Sequence, residues 1–180
     1  MNRLSYTLPA DLEGALNNAL NEWQLEGKLA RLWARDASLW SNTDEADWLG
    51  WLDIAGKSLA QSAELEAFAR ELAGRDIRQV VLLGMGGSSM APEVLAATFG
   101  QQPGFPELIV LDSTDPGQVG SVDAAIDPAH TAFIVASKSG SSLEPNILMA
   151  YFLQRMTDVL GAEQAAQRFI AITDPGTSLE

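Results

Sequence analysis

The chain has 180 residues, 47% of them hydrophobic and 19% charged, with 24 acidic side chains against 11 basic ones and a net charge of −13. Length and apolar content suffice for a real core, and acidity spread along the whole chain argues against nucleic acid or an anionic membrane as partner, although backbone amides and a lysine can still bind a small anion locally. No Cys is present, which excludes disulfides, thiolate metal sites and a Cys nucleophile, and with no apolar run near the ~20 residues of a membrane span and no signal-peptide h-region at the N-terminus, a cytoplasmic protein is expected.

Residues 11–36 read as helical. Leu12, Leu16, Leu20 and Trp23 recur at spacings of three and four, Leu25, Leu29, Leu32 and Trp33 extend the stripe, and Asp11 after Pro9 is the expected N-cap. A break is expected near Ser38–Asp44. Asn42-Thr43-Asp44 then offers a cap for a long helix over roughly Glu45–Ala73, with Gly74 as its stop. All five Trp (23, 33, 40, 48 and 51) fall in this first part. They read as anchors of helices against the body or one another, or else as a surface for a partner. Residues 1–76 are expected to form a helical extension packing on a domain of residues 77–180.

From Ile77 the pattern changes. Apolar runs at Gln79–Leu83, Leu108–Leu111, Phe133–Ala136 and Phe169–Ile172 alternate with helix-like stretches Ser88–Phe99, Gly117–Ala125 and Glu144–Leu160. This alternation predicts an α/β fold, a doubly wound parallel sheet in three layers. Each strand runs into a polar loop: Gly84-Met85-Gly86-Gly87-Ser88-Ser89, then Asp112-Ser113-Thr114-Asp115-Pro116, then Ser137-Lys138-Ser139-Gly140-Ser141-Ser142, then Thr173-Asp174-Pro175-Gly176-Thr177-Ser178. Ligands of open α/β sheets bind beyond the carboxyl ends of the strands.

The Ser loop is the strongest candidate. A buried strand, four hydroxyls, one lysine and a helix start make an anion site in outline, because the first N–H groups of a helix lack internal partners and carry the positive end of its dipole. The bland alternative is a polar connection in which Ser142, with Glu144 and Pro145, caps the helix. The Gly loop allows close approach of a ligand to the main chain at Gly86-Gly87, with the Ser88 hydroxyl at the helix start. Its alternatives are a tight turn with Ser as N-cap, or a dinucleotide fingerprint in which Ser89 occupies the place of the third Gly. Gly50…Gly56-Lys57-Ser58 has one residue too many for a phosphate-binding P-loop and follows no strand. His130 is the lone histidine and precedes strand three, on the side away from the loops, so it reads as a surface or packing residue. Asp112, Asp115 and Asp174 gather at the carboxyl ends, where the two Asp-Pro pairs suggest turn chemistry before metal binding.

Together these segments resemble a known family. Gly84-Met85-Gly86-Gly87-Ser88-Ser89-Met90-Ala91-Pro92 is similar to the G-I-G-G-S-x-L-G-P segment of phosphoglucose isomerases, and Ser137-Lys138-Ser139-Gly140-Ser141-Ser142-Leu143-Glu144 to their S-K-[ST]-x-[ST]-T-x-E segment. Both follow strands of a sugar isomerase (SIS) domain, so the resemblance implies a SIS-type sheet with an N-terminal helical extension. Leu32–Trp40 and Leu49–Leu52 look like the isomerase portion of bifunctional transaldolase/phosphoglucose isomerases. By resemblance, Ser137, Ser139 and Ser142, with Lys138 and Ser141 beside them, hold the phosphate of a hexose 6-phosphate, and Gly86, Gly87 and Ser88 line the sugar. The departures are small: Met85 for Ile, Met90-Ala91 for Leu-Gly, and Ser for Thr in the second segment. The family interconverts glucose 6-phosphate and fructose 6-phosphate by proton transfer through an enediolate, without cofactor or metal. Its Glu base, ring-opening His and Lys, and Arg in a G-G-R-[FY]-S motif have no match in this sequence. The chain is therefore expected to be the first half of such an isomerase, inactive alone, with the remainder of the parent chain as its partner and a homodimer as the parent's assembly. A non-catalytic SIS module that senses a sugar phosphate is the alternative.

Overall fold

The computed structural model describes residues 7–179. The chain divides into two compact units, Met1–Ala63 and Glu64–Glu180.

In the first unit, α1 (Ala10–Leu25) and α2 (Lys28–Trp33) are separated by Gly27, whose φ of +60° turns the chain out of the helix. Asp11 is not the N-cap. Pro9 occupies that position without a side-chain bond, and Asp11 lies in the first turn, where its charge suits the helix dipole. The long helix expected from Glu45 is also broken. Single 3₁₀ turns at Glu45–Trp48 and Gly50–Asp53 precede α3 (Ile54–Ala60), and Gln61 separates α3 from α4 (Ser62–Gly74), which lies almost wholly in the second unit. Asp44 does not cap with its side chain; its carboxylate accepts from Trp48 Nε1 at 3.0 Å. Among the described residues of this unit, Leu49 is the one buried apolar side chain, and the five Trp are between 45% and 63% exposed. Polar contacts tie the segments instead: Arg31 to Asp36 at 2.7 Å, and Asp53 to Arg35 at 2.6 Å and Lys57 at 3.0 Å.

The second unit is a four-stranded parallel sheet in the order β2-β1-β3-β4, with β1 at Gln79–Gly84, β2 at Glu107–Leu111, β3 at Thr131–Ala136 and β4 at Phe169–Ile172. The connecting helices are α5 (Gly87–Phe99), α6 (Pro116–Ala125), α7 (Leu143–Leu160) and the short α8 (Ala162–Ala166). The strands were readable as continuous apolar runs because both faces are covered. On one face Val81, Leu83, Leu111, Phe133 and Val135 pack under Leu148, Phe152 and Met156 of α7, with Val119 and Val122 of α6 at the margin. Phe133 lies between Phe152 and Phe169, its ring centroid 5.0 Å and 4.8 Å from theirs. On the other face Leu72 of α4 packs with Ile77, Val80, Ala132 and Ile170.

The strand order decides where the chain leaves room for a ligand. From β1 the chain crosses to β2 on one side, whereas from β3 it crosses to β4 on the other. The loops after β1 and β3 therefore diverge, and with right-handed crossovers their helices cover opposite faces. The crevice between them is the topological switch point, where open α/β sheets take their ligands.

Candidate functional site

Gly84 and Ala136 are register partners at the ends of β1 and β3. The Gly loop and the Ser loop thus start side by side, about 4.8 Å apart, as neighbouring strands dictate. Gly84 is tightly packed: a Cβ there would stand 3.2 Å from Ser88 Cβ and 3.4 Å from Ala136 Cβ, so its neighbours would have to give by a few tenths of an ångström. This close approach seats the first turn of α5 against the sheet. Gly86 is the N-cap of α5, with φ +56° and ψ −124°, a backbone that excludes other residues. Ser88 is thus not the cap of the turn reading; it sits half-buried in the first turn. Ser89 is fully buried, and its single hydroxyl proton has two acceptors in reach, Gly86 O at 3.0 Å and the more distant Asp112 Oδ2 at 3.4 Å, which places the Gly loop beside the end of β2.

Ser137 is the first residue past β3 and is 3% exposed. Its N–H donates to Ile172 O at 3.0 Å, but its hydroxyl is, among the described residues, the one buried side-chain oxygen or nitrogen without a hydrogen-bond partner. Lys138, Ser139 and Ser141 are exposed, and Ser142 is half-buried. Ser139 and Ser141 share a hydroxyl bond of 2.9 Å. Ser142 is the N-cap of α7, yet its hydroxyl makes no cap bond. The capping alternative is therefore not how this serine is used, and the hydroxyl is left over at the positive end of an 18-residue helix. The structure brings the Gly86–Ser88 and Ser137–Ser142 loops to the neighbouring carboxyl ends of β1 and β3.

Other residues hold the Ser loop from behind. Asn146 Nδ2 donates to Gly140 O at 2.9 Å and to Ser142 O at 2.8 Å. Ser178 Oγ donates to Gly140 O at 3.1 Å, and Asp174 N–H donates to Lys138 O at 3.0 Å. Gly140 has φ +66°, and a Cβ there would stand 2.7 Å from Thr177 Cβ. The sequence flags the loop after β4 only as a further polar strand end, and the one local signal for Asn146 is an amide four residues beyond a helix start.

The remaining candidates are elsewhere. Asp115 caps α6, accepting from Gly117 and Gln118 N–H at 3.0 Å each, with Pro116 at the first helical position, which is the turn chemistry its Asp-Pro pair suggested. No group of three or more His, Asp or Glu among the described residues is arranged to hold a metal ion, and no helix among them is long and apolar enough to cross a membrane. His130 lies at the amino end of β3, with Nδ1 2.7 Å from Asp127 and Nε2 3.1 Å from Asp76. A cavity of about 760 Å³ lined by Phe68, Leu72, Ile77, Ala132, Arg168 and Ile170, among others, also opens at the amino ends and contains no residue of either loop.

Comparison with known proteins bears on the family and the fold. Residues 57–179 match the family model of phosphoglucose isomerase. A glucose-6-phosphate isomerase of Chlamydia muridarum is 27% identical over 174 residues, covering 93% of this chain and 31% of that protein. Glucose-6-phosphate isomerase 4 of Rhodococcus jostii is 33% identical over 106 residues, covering 58% of this chain and 19% of its own length. Among solved structures, a glucose-6-phosphate isomerase from Chlamydia trachomatis superposes with a TM-score of 0.61 at 27% identity, over 83% of this chain and 27% of that one. A hypothetical protein from Thermus thermophilus superposes with a TM-score of 0.66 at 28% identity, over 89% and 36%. The chain spans about a third of the length of its full-coverage curated relatives.

Proposed function

The chain belongs to the phosphoglucose isomerase family, and from that premise we propose that its two loops hold a hexose 6-phosphate: the phosphate among Ser137, Lys138, Ser139, Ser141 and Ser142, the sugar over Gly86, Gly87 and Ser88. The chain then contributes the phosphate-holding part of a glucose-6-phosphate isomerase, and the groups that transfer the proton between C1 and C2 lie outside these 180 residues.

The Ser137 hydroxyl carries this reading, being 3% exposed and without a partner. Leaving a buried hydroxyl unpaired costs about 1–3 kcal/mol, and a phosphate oxygen would recover that cost once a change of Ser137 rotamer turned the hydroxyl, closed to solvent in this structure, toward the ligand. The same oxygen cluster would meet the N-terminal dipole of α7 and the Lys138 charge, which supply local attraction in a chain of net charge −13. The Ser/Gly makeup also fits a ligand held by its unreactive end, since neither loop offers a base of its own.

Calorimetry with 6-phosphogluconate tests the reading. The 180-residue chain is expected to bind it, to bind gluconate more weakly, and not to bind NAD(P). Replacing Ser139 and Ser142 together by Ala should cost roughly 1–3 kcal/mol of binding, the scale of hydrogen bonds to a charged group. Unchanged binding in that double variant would place the phosphate elsewhere. A coupled assay of the chain alone is expected to show no isomerisation, and turnover would refute the assignment of the proton transfer to other residues.

A further inference from the structure

We infer that Asn146 and Ser178 are positioning residues of the anion site, fixing the Ser loop with its carbonyls engaged from behind; this rests on the phosphate reading of that loop. An anion held by backbone needs N–H groups toward it and carbonyl oxygens away, because each C=O presents negative charge. In Ser137–Ser142 four carbonyls have named donors. Ser137 O accepts from Gly140 N–H at 3.1 Å, a turn bond within the loop itself, so this amide, like those of Ser137 (to Ile172 O at 3.0 Å) and Ser141 (to Ser139 Oγ at 3.3 Å), is committed inside the fold. Lys138 O accepts from Asp174 N–H at 3.0 Å and from Thr173 Oγ1 at 3.4 Å. Gly140 O accepts from both Asn146 Nδ2 and Ser178 Oγ, and Ser142 O from Asn146 Nδ2. A carbonyl that already receives a donor shows less negative potential to an incoming phosphate and cannot rotate toward it without losing that bond.

The two side chains act from different elements. Asn146 stands in the first turn of α7 and bridges Gly140 O and Ser142 O, so it ties the loop to the helix whose dipole faces the anion. Ser178 belongs to the segment returning from β4, and Thr177 beside it packs where a Cβ on Gly140 would lie. Removing either donor frees the Gly140 carbonyl in part, at the centre of the loop, without touching a phosphate-contacting hydroxyl.

The test compares Asn146→Ala, Ser178→Ala and Ser178→Thr in the full chain, with 6-phosphogluconate titrated by calorimetry and its ³¹P resonance recorded at saturation. Asn146→Ala and Ser178→Ala should each weaken binding about five- to tenfold and shift the bound ³¹P resonance. Ser178→Thr, which keeps the donor, should restore both. A variant that merely destabilised the fold would bind less yet show the wild-type resonance in its bound fraction, and that outcome overturns the inference. Wild-type affinity in both Ala variants overturns it too while leaving the phosphate site standing, whereas failure of the wild-type chain to bind refutes both. Should Asn146→Ala fail to fold, the Ser178 pair decides the matter by the same criteria.

Discussion

Replacing Gly140 by Ala strikes the Ser loop at its tightest point, and its cost can be assembled from two independent terms. The first is backbone. Gly140 has φ +66°, and a residue with a Cβ held in the left-handed region costs about 1–2 kcal/mol. The second is overlap. The new Cβ would stand 2.7 Å from Thr177 Cβ and 2.8 Å from Thr177 Oγ1, and both belong to a short side chain close to its backbone, so the returning segment must move. That movement strains the 2.7 Å hydroxyl bond between Thr173 and Thr177 and the bond from Ser178 to Gly140 O; overpacking of this kind costs about 1–3 kcal/mol. The expected loss is therefore about 2–5 kcal/mol. Trp fluorescence would miss it, since every Trp lies in the first unit, so the assay is amide exchange of β3 and β4 measured across a urea series. A Gly140→Ala, Thr177→Gly double variant removes the overlap but not the backbone term, and should return about 1–3 kcal/mol. A loss below about 1 kcal/mol in the single variant, or no recovery in the double, would refute the reasoning.

Two further outcomes follow from hydrogen bonds at the ends of elements. The Ser38 hydroxyl, with Arg31 next to it, holds the Asp36 carboxyl at about 2 against an ordinary 3.8, and the Ser41 hydroxyl and N–H hold Glu45 at about 2 against 4.5. Both pKa values are depressed in the folded state, so their contribution is complete above the ordinary values and is lost as pH falls toward 2; Trp emission, which reports the first unit, should change across that window, and Ser41→Ala should move the change to higher pH. Emission unaltered down to pH 2 would contradict this. Asp115→Ala should cost about 0.5–2 kcal/mol through loss of the α6 cap, whereas Asp115→Asn should cost little, since Asn caps equally well; equal losses in both, read by urea unfolding followed by circular dichroism, would show that the charge and not the cap matters.

The second unit was legible because its physics is local and redundant. Val80–Leu83, Leu108–Leu111 and Phe133–Ala136 each form an unbroken apolar run, as strands covered on both faces require, and the polar loops mark where each ends. The first unit was misread because its Leu and Trp keep a helical spacing through places where the backbone leaves the helix. Gly27 at φ +60° and Arg35 at +58° set those breaks in the stretch read as helical over 11–36, and apolar periodicity does not register a single residue's φ; Asn42 at +58° lies within the break expected near Ser38–Asp44. In the site, Ser137–Ser142 was visible as composition, but its clamp was not. Ser178 reaches Gly140 from 38 residues away, and that contact exists only because β4 lies beside β3.

That dependence explains why the loops and the sheet order form one device. A Ser-rich loop on an isolated helix start would be flexible, and its carbonyls would face an anion as readily as its amides. Pairing of β3 with β4 brings the Thr173–Ser178 segment behind the loop, and divergence of the chain at β1 and β3 opens the crevice in front of it. The Ser137 hydroxyl then sits buried at the boundary between the two, with its backbone N–H committed to Ile172 O and its side chain to nothing. Folding alone gains nothing from burying that oxygen, since an Ala would fill the space without the desolvation cost of about 1–3 kcal/mol. On the proposed reading a ligand-bound state would gain, because binding to the folded form alone adds stability that grows with the logarithm of ligand concentration over Kd. On that same reading, a serine at position 137 is accounted for by the phosphate bound beside it, and the contacts of Asn146 and Ser178 by the need to hold the loop in one conformation.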